Sequence, residues 1–380
     1  MNSSPPLFNL NFYRPTWVEI SPAAFASNIR RLKSFIGPTV QLLAVLKADA
    51  YGHGAVSLAP VAIENGASMI GVSSLEEAVQ LRDAGLKAPL LILGGIYPLE
   101  NFEVALRYNV TPTVASLDAA RFLDKIERKM GANIPLHLKV DTGMGRIGVS
   151  PEAAKKVLNW LFEHPNLTLA GVYSHFSSAD SDPAFTKHQL KLFEDLKDHA
   201  RRLGFKDTLF HIANSAGLLQ FRESHHEMVR PGIALYGAPA KKGPNGPQVS
   251  PVLSWQTRVI FLKKVSKGTP ISYGRTFVTK KVSEIATLPV GYADGVPRSL
   301  SNKGFVLVKG KKKPILGRVT MDHIMVDVTG LHIKIGDPVI LIGNQGKEQL
   351  TADDWAKWAG TISYEIFCGI SKRVPRVVTA

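Results

Sequence analysis

The sequence predicts an α/β TIM barrel followed by a second, mainly β domain. Its first two-thirds repeat one unit, in which a short apolar strand leads through a capping residue to an amphipathic helix that ends at a glycine. These strands are apolar throughout rather than alternating, which is typical of parallel sheets buried on both faces. After Gly237 helices become rare and strand-like runs follow one another, which indicates a change of fold class.

About eight strand–helix units in roughly 230 residues suit a TIM barrel, and a doubly wound sheet is the structural alternative. Glu77 lies three residues after Ser74 and predicts a capping box at that helix start. Serines in capping positions predict the starts of four helices: Ser21, Ser74, Ser116 and Ser150. The predicted barrel strands are 17–20, 42–46, 69–73, 90–93, 113–115, 136–140, 169–173 and 210–213.

Two domains are predicted, a barrel domain at residues 12–240 and a β domain at residues 248–380. A Pro/Gly-rich stretch at 238–247 is the predicted linker between them. Within the β domain, Thr351 and Asp354 predict the N-terminus of one helix. The predicted strands of this domain are 257–265, 284–290, 305–308, 324–328 and 338–342.

The composition is that of a globular protein, with 45% hydrophobic and 20% charged residues, which excludes a disordered chain. Cys368 is the one cysteine of the sequence, so neither an intrachain disulfide nor a cysteine zinc site can form.

The N-terminus has no basic start and no apolar core, so no signal peptide is predicted. No apolar run is long enough to span a membrane. We therefore expect a cytoplasmic protein with no membrane partner.

The net charge of +15 raises the question of nucleic-acid binding. The one dense basic run, residues 309–313, lies between two apolar runs and is typical of a turn between strands. It carries no interleaved aromatic residues, and no nucleic-acid-binding signature occurs. We therefore predict no nucleic-acid partner.

Two motifs near the middle of the chain are misleading. Residues 143–148 fit the dinucleotide pattern G-x-G-x-x-G, but the next helix opens only at Ser150, whereas that pattern requires the helix to open within the motif. Asp141 in Asp-Thr-Gly resembles half of an aspartic-protease site, but no second copy exists. No zinc-hydrolase histidine pair occurs, and no metal site is predicted.

Lys47 follows five apolar residues and is therefore expected at the C-terminal mouth of the barrel, where the active sites of such barrels lie. A partly desolvated lysine has a lowered pKa and can form a Schiff base. Tyr51 and its neighbouring glycines come shortly after Lys47 in the chain. Residues 213–217 and 230–234 come after the late strands, and this part of a barrel often supplies the phosphate site. A Schiff-base lysine with a phosphate cradle indicates pyridoxal 5′-phosphate.

These residues belong to a larger set of segments that resembles a known protein family. Residues 44–54, AVLKADAYGHG, are similar to the pyridoxal-phosphate signature of the alanine racemases. Further similar segments occur in the family's order and cover nearly the whole chain: 139–146, 211–215, 229–233, 271–274, 291–295, 317–322 and 364–365.

The resemblance implies a homodimer that binds pyridoxal 5′-phosphate between one subunit's barrel and its partner's β domain. Lys47 would bind the cofactor covalently, Tyr273 from the partner subunit would be the second base, and His175 would aid it. Arg230 would face the pyridine nitrogen. Arg146 would contact the cofactor's phenolic oxygen and the substrate carboxylate.

The residues implied to hold the phosphate are Tyr51, Ser215, Gly232, Ile233 and Tyr364. Other implied roles are substrate binding by Met321, an entrance lined by Asp322 and Tyr292, and carbamylation of Lys139.

The implied reaction is the interconversion of L- and D-alanine, which would supply D-alanine for peptidoglycan. Two bases on opposite faces of Cα can exchange its proton without turning the substrate over. Arg230 has no acceptor atom, so it can only donate to the pyridine nitrogen. That nitrogen then stays unprotonated, which weakens the electron sink and disfavours transamination.

Three alternatives share part of this pattern. A racemase of the same fold with a broader amino-acid range differs only in the volume of its substrate pocket. A barrel decarboxylase would not need Tyr273 as a second base. A non-catalytic pyridoxal-phosphate carrier resembles the barrel alone, so the second domain argues against it.

Overall fold

The computed structural model describes residues 13–131, 135–238 and 246–379, so most of the predicted linker, and the N-terminal residues 1–12, lie outside the described residues. The chain divides into two compact units. Of the described residues, those within 24–50 and 54–250 form the barrel unit, and those within 13–23, 51–53 and 251–379 form the β unit.

The first described strand, β1 (Thr16–Ile20), belongs to the β unit. It pairs antiparallel with Leu253–Arg258 and parallel with Arg376–Val378. This differs from the expectation that residues 17–20 form a barrel strand and that the barrel domain starts at residue 12. A short apolar strand does not specify its sheet, because its pairing partners lie more than 200 residues away.

The barrel unit is built on parallel strands that close into a ring, which confirms the predicted barrel. They form two four-stranded segments, in the orders β4-β3-β2-β9 and β5-β6-β7-β8. Backbone hydrogen bonds join the segments, from Ile92 N to Thr111 O (3.1 Å) and from Arg230 N to Ala213 O (2.9 Å). The described barrel strands are β2 (Gln41–Val45), β3 (Met69–Val72), β4 (Leu90–Ile92), β5 (Thr113–Val114), β6 (Pro135–Lys139), β7 (Thr168–Tyr173), β8 (Leu209–His211) and β9 (Met228–Val229).

The place expected for residues 17–20 is taken by β9, which has only two residues and leads directly into Arg230. Such a short strand has no detectable pattern in the sequence. It becomes a strand because the ring needs an element between β8 and β2, and β2 pairs with it through Gln41 and Leu42.

Helices connect the strands, and several begin at the predicted caps. Ser116 Oγ accepts from Ala119 N at 3.0 Å, and Ser150 Oγ accepts from Ala153 N at 3.2 Å. Each such cap stabilises its helix by about 1 kcal/mol. The described helices in this part of the chain are α1 (Pro22–Ile36), α2 (Lys47–Gly52), α3 (Ala55–Glu64), α4 (Leu75–Asp83), α5 (Asn101–Arg107), α6 (Leu117–Met130), α7 (Pro151–Phe162), α8 (Pro183–Leu203) and α9 (Ser215–Gln220). Short 3₁₀ turns occur at Arg222–Ser224 and Ile233–Tyr236. No helix in the described ranges is both long and apolar enough to cross a membrane.

The β unit is mainly β, as predicted. Its large sheet has the order β11-β14-β17-β16-β15-β18-β10-β1-β20, with β19 paired to β18, and β12 and β13 form a separate ladder. The predicted strand at 257–265 is two strands, because the chain leaves one ladder after Arg258 and enters another at Phe261. The described strands are β10 (Leu253–Arg258), β11 (Phe261–Val265), β12 (Pro270–Ile271), β13 (Phe277–Val278), β14 (Ser283–Leu288), β15 (Phe305–Val308), β16 (Lys311–Leu316), β17 (Ile324–Asp327), β18 (Pro338–Gln345), β19 (Glu348–Leu350) and β20 (Arg376–Val378).

Two helices, α10 (Ala352–Ala359) and α11 (Ser363–Gly369), and three 3₁₀ turns complete the described part of this unit. The turns lie at Tyr273–Arg275, Tyr292–Asp294 and Arg298–Leu300. Helix α10 begins with the predicted capping box of Thr351 and Asp354. The basic run begins with the predicted turn, since Lys309 (φ 47°) and Gly310 (φ 69°) connect β15 to β16 as in a two-residue hairpin. Its last three residues, 311–313, belong to β16 instead.

Candidate active site

Lys47 lies at the C-terminal end of β2, as predicted, and the chain beyond it turns left-handed. Ala48, Asp49, Ala50 and Tyr51 have φ values of 53°, 53°, 55° and 54°. A left-handed helical conformation costs non-glycine residues about 1–2 kcal/mol each, so this segment is strained. Such strain persists only where the surroundings determine the conformation, and it concentrates at functional sites.

Glu77 contributes to holding this strained turn. Its Oε1 accepts a hydrogen bond from Ala48 N at 2.7 Å, next to Lys47, and its Oε2 accepts from Ser73 N (2.7 Å) and Ser73 Oγ (2.9 Å). The predicted capping box at Ser74 is therefore only half formed. Ser74 Oγ accepts from Glu77 N at 3.4 Å, while the Glu77 carboxylate ties the start of α4 to the residue after Lys47.

Arg230 follows β9 and is buried, with neutral partners for its guanidinium. Nη1 donates to His211 O (2.7 Å) and His211 Nδ1 (2.8 Å), and Nη2 donates to Ser174 O (2.6 Å). Burial lowers the pKa of Arg230 to about 10, so the group remains a cation at neutral pH. A buried cation held by neutral partners can serve as a donor to a bound acceptor.

A chain of two histidines lies behind Arg230. Because a guanidinium can only donate, His211 Nδ1 must accept, and His211 Nε2–H then donates to His137 Nδ1 at 2.9 Å. Both rings are thus neutral. Burial, aided by Arg230, lowers the pKa of His137 to about 3 and that of His211 well below its usual value. Gly171 makes room for this chain, since a Cβ there would lie 2.4 Å from His137 Cε1.

His175 is surrounded by basic side chains. Its pKa lies well below the usual value because of burial first, and then because of Arg230, Lys139, Arg146 and Lys47. The structure thus brings these predicted site residues together in the barrel unit. A cluster of this kind favours an anionic ligand.

Lys139 is buried at the end of β6, with its Nζ 4.5 Å from the centre of the Tyr173 ring. Burial, together with Arg230 and Arg146, lowers its pKa well below 10.5, and only Asp141 opposes this shift. These surroundings favour the neutral amine, which is the nucleophilic form of lysine.

Asp141 organises the loop that carries Arg146. Its carboxylate accepts hydrogen bonds from Gly143 N (2.8 Å), Met144 N (2.7 Å) and Arg146 N (3.1 Å). Burial raises the pKa of Asp141, but the backbone N–H groups together lower it below its usual value. Gly148 has φ 124°, and a Cβ there would lie 2.8 Å from Asp141 N. The glycine-rich stretch is therefore a tight loop around Asp141, and α7 begins after it.

Ser215, Gly232 and Ile233 lie together in the barrel unit, as predicted. Ser215 is buried, and its Oγ accepts from Gly232 N (2.9 Å) and Ala234 N (3.3 Å). Because this oxygen accepts both bonds, the hydroxyl proton is directed elsewhere and can be donated to an anion. Hydroxyl and backbone N–H donors grouped in this way are typical of phosphate sites.

Tyr51 and Tyr364 lie together in the β unit, with their ring centres 5.7 Å apart. Burial, and then Tyr364, raises the pKa of Tyr51, so its phenol stays protonated and can donate. Gly52 allows the chain to pack here, because a Cβ at this position would lie 2.7 Å from Phe367 O.

The remaining predicted residues lie on exposed turns of the β unit. Tyr273 is 72% exposed, and Tyr292 and Met321 are also exposed. The last two lie on neighbouring loops, since Ala293 N donates to Met321 O at 3.0 Å. Large apolar side chains grouped on a surface are typical of interaction sites.

Asp322 is held beside these loops by an ion pair. Its Oδ1 accepts from Arg373 Nη2 at 2.7 Å, and Arg373 also lies 3.5 Å from the buried carboxylate of Asp294. Asp294 in turn accepts from Gly291 N at 2.9 Å, at the start of the turn that carries Tyr292.

Sequence reasoning did not identify Glu77, Asp141, His137 or His211 as residues that shape the site. One feature of the sequence could have indicated the two histidines, because each of them interrupts an otherwise apolar strand. A polar residue in a buried strand requires a hydrogen-bond partner. For Glu77 the signal was ambiguous, since its position after Ser74 equally fits a capping box.

Comparisons with known proteins agree with this geometry. Residues 20–240 match the model of the alanine racemase N-terminal domain, and residues 252–378 match that of the alanine racemase C-terminal domain. The chain is 44% identical over 371 residues to the alanine racemase of Halothermothrix orenii, covering 97% of this chain and 98% of that protein.

Two solved structures resemble the chain over nearly its whole length. Alanine racemase from Bacillus anthracis with bound L-Ala-P superposes with a TM-score of 0.88 at 38% identity, covering 97% of this chain and 96% of that one. Alanine racemase from Bartonella henselae with covalently bound pyridoxal phosphate gives a TM-score of 0.87 at 29% identity, covering 97% of this chain and 100% of that one. The barrel, the β unit and both matched domains confirm the resemblance noted in the sequence, and the chain belongs to the alanine racemase family.

Proposed function

We propose that this chain is an isomerase that interconverts L- and D-alanine with pyridoxal 5′-phosphate as cofactor. The observation that carries the proposal is the cluster of Lys47, Lys139, Arg146, His175 and Arg230 at the ends of the barrel strands. Family membership supports the same activity, as does the L-Ala-P bound to the Bacillus anthracis relative.

The residues present fit this cofactor. In the barrel unit, the Ser215 hydroxyl lies beside the backbone of Gly232 and Ile233, and these groups would bind the phosphate. Arg230 would hold the pyridine nitrogen, for which a buried donor without acceptor atoms is suited. Tyr51 and Tyr364 of the β unit would also bind the phosphate, and the phenol of Tyr51 stays protonated because burial raises its pKa.

Lys47 would hold the cofactor until the substrate amine takes the place of the Lys47 amine, and the cofactor would then supply an electron sink for the electron pair that the Cα proton leaves behind. Lys47 would hold or return this proton on one face of Cα, and Tyr273 of the partner subunit would do so on the other, aided by His175. Arg146 and the backbone N–H of Met321 would fix the substrate carboxylate. The Asp141 loop holds the backbone of Arg146 and thereby supports this contact.

We also propose a homodimer with shared active sites. Tyr273, Tyr292 and Met321 leave large side chains exposed on the β unit, which suits a surface that meets a second subunit. Asp322, beside them, would line the entrance with Tyr292. The domain limits of 12–240 and 248–380 stay a prediction, apart from the strand at residues 16–20.

Lys139 is the proposed site of carbamylation. Its neutral amine can react with carbon dioxide, and the carbamate would place a negative charge beside Arg146 and Arg230. We further propose that the enzyme works in the cytoplasm and supplies D-alanine for peptidoglycan, as its family membership suggests.

The test is deuterium exchange at Cα in heavy water, with the holoenzyme and single enantiomers of alanine, serine and lysine. We expect both enantiomers of alanine to exchange and racemise, and the larger substrates to react about 10–200-fold more slowly, as a pocket shaped for a methyl group would require. Equal rates across the panel would instead support the second candidate, a broad-specificity racemase of the same fold. Release of carbon dioxide, or no exchange with alanine, would contradict the proposal.

A further inference from the structure

We propose that Ser272 is a positioning residue for Tyr273, acting through a strained backbone that its own side chain locks in place. This inference rests on the proposed role of Tyr273 as the second base. It concerns residues of the β unit alone, and it assigns a purpose to a backbone outlier next to the proposed base.

Ser272 has φ 67° and ψ −177°. This region of backbone conformation is populated almost only by glycine, because a Cβ collides there with neighbouring backbone atoms. A glycine would adopt the same angles without penalty, and Gly274, two residues later, does adopt a positive φ of 67°. The serine at position 272 therefore imposes strain that a simple turn would not need.

The side chain of Ser272 offsets this strain. Its Oγ donates to Arg318 O at 2.6 Å, which ties the turn to the residue after Gly317. Gly317 makes the close approach possible, since a Cβ there would lie 2.5 Å from Ile271 O and 2.7 Å from the Ser272 Cβ. The hydrogen bond and the glycine together hold Ser272 in a conformation that it would otherwise leave.

Both ends of the turn are also fixed. Ile271 is buried in a cluster with Ile285 and Leu316. On the far side, Asn302 Oδ1 accepts from Gly317 N at 2.6 Å, and Asn302 Nδ2 donates to Thr276 Oγ1 at 3.1 Å. The strain therefore cannot relax by a shift of the whole turn.

Tyr273 follows Ser272 and is exposed, so packing within the β unit does little to direct its phenol. A proton-transferring group must be held within about 0.5 Å and 10–20° of the productive geometry. The locked conformation of Ser272 supplies this direction before the partner subunit or the substrate is met.

The test compares Ser272→Ala and Ser272→Gly with Tyr273→Phe in the holoenzyme. Ser272→Ala removes the hydrogen bond and retains the strained Cβ, whereas Ser272→Gly also removes the strain and is expected to fold without difficulty. Ser283→Ala is the matched control, because it removes a serine hydroxyl bond to a backbone carbonyl, that of Lys281, elsewhere in the same unit.

We expect both Ser272 variants to slow Cα deuterium exchange of L-alanine by about 10–100-fold, because misplacing a reacting group by about 1 Å can cost 10²-fold. Exchange of D-alanine, which Lys47 serves, should change little, and the cofactor content should be unchanged. Ser283→Ala should behave as the wild type.

A second readout does not depend on turnover. With tyrosine labelled at Cζ with ¹³C, the Tyr273 resonance is identified by its loss in Tyr273→Phe. We expect this resonance to shift or broaden in Ser272→Gly and to stay in place in Ser283→Ala.

The outcomes separate the two proposals. If Tyr273→Phe leaves L-alanine exchange intact, the second-base assignment fails and the Ser272 proposal fails with it. If Tyr273→Phe abolishes that exchange while both Ser272 variants keep the wild-type rate and resonance, only the role of Ser272 is overturned. Equal slowing of both enantiomers by the Ser272 variants would also overturn it, because that result indicates a general structural defect.

Discussion

Lys47→Ala is expected to abolish racemisation and the visible absorbance of the covalently bound cofactor. In the proposed function this residue provides both the covalent attachment and one proton-transferring group, so we expect a loss of at least about 10⁴-fold. Lys47 is only half-buried at the end of β2, so its removal should leave the barrel folded. Turnover, absorbance and thermal denaturation of the purified protein measure the three effects.

Two further variants make this result specific. Lys47→Arg retains the positive charge but cannot attach the cofactor, and we expect it to be as inactive as Lys47→Ala. Lys87→Ala removes an exposed lysine just before β4 and should remain fully active. Activity retained in Lys47→Arg would mean that only the charge matters, and it would contradict the covalent role.

Tyr273→Phe is expected to retain the cofactor while slowing racemisation by about 10²–10⁴-fold, the usual contribution of a general acid or base. Racemisation must slow equally in both directions, because the two enantiomers have the same free energy in water. A difference between the two enantiomers therefore appears only in the exchange of the Cα proton with solvent. L-alanine should lose its exchange, whereas D-alanine should still exchange through Lys47.

The measurement is deuterium incorporation into each enantiomer, with the stereochemistry of the product determined by chiral chromatography. Tyr97→Phe is the matched control, since it removes the hydroxyl of an exposed tyrosine in the barrel unit. Undiminished exchange of both enantiomers by Tyr273→Phe would refute the assignment of two bases.

Local signals predicted much of the fold. The serine caps at Ser116 and Ser150 and the apolar strand before Lys47 are properties of neighbouring residues, and the structure confirms them. The strand at Thr16–Ile20 was placed in the wrong sheet because its partners are distant in sequence. The two-residue strand Met228–Val229 was missed because it is too short to carry a pattern.

The site shows the same division between local and distant information. Lys47 and Arg230 were predicted from short motifs and a family resemblance. The bond from Ala48 N to Glu77, and the chain from Arg230 through His211 to His137, join separate strands and helices, so no local pattern contains them. The positive φ values at residues 48–51 could not be predicted either, because alanine, aspartate and tyrosine disfavour that conformation on their own.

The central proposal is that each active site joins Lys47 of one subunit with Tyr273 of the partner subunit, and mixed dimers test it most directly. Lys47→Ala and Tyr273→Phe chains, each nearly inactive alone, are co-expressed with different affinity tags. If the site is shared, every mixed dimer has one site with both residues intact, so purified mixed dimers should have about half of the wild-type activity. The unseparated random mixture, in which about half of the dimers are mixed, should have about one quarter. Purified mixed dimers with no more activity than the two parents would show that both residues act within one chain, which would contradict the proposal.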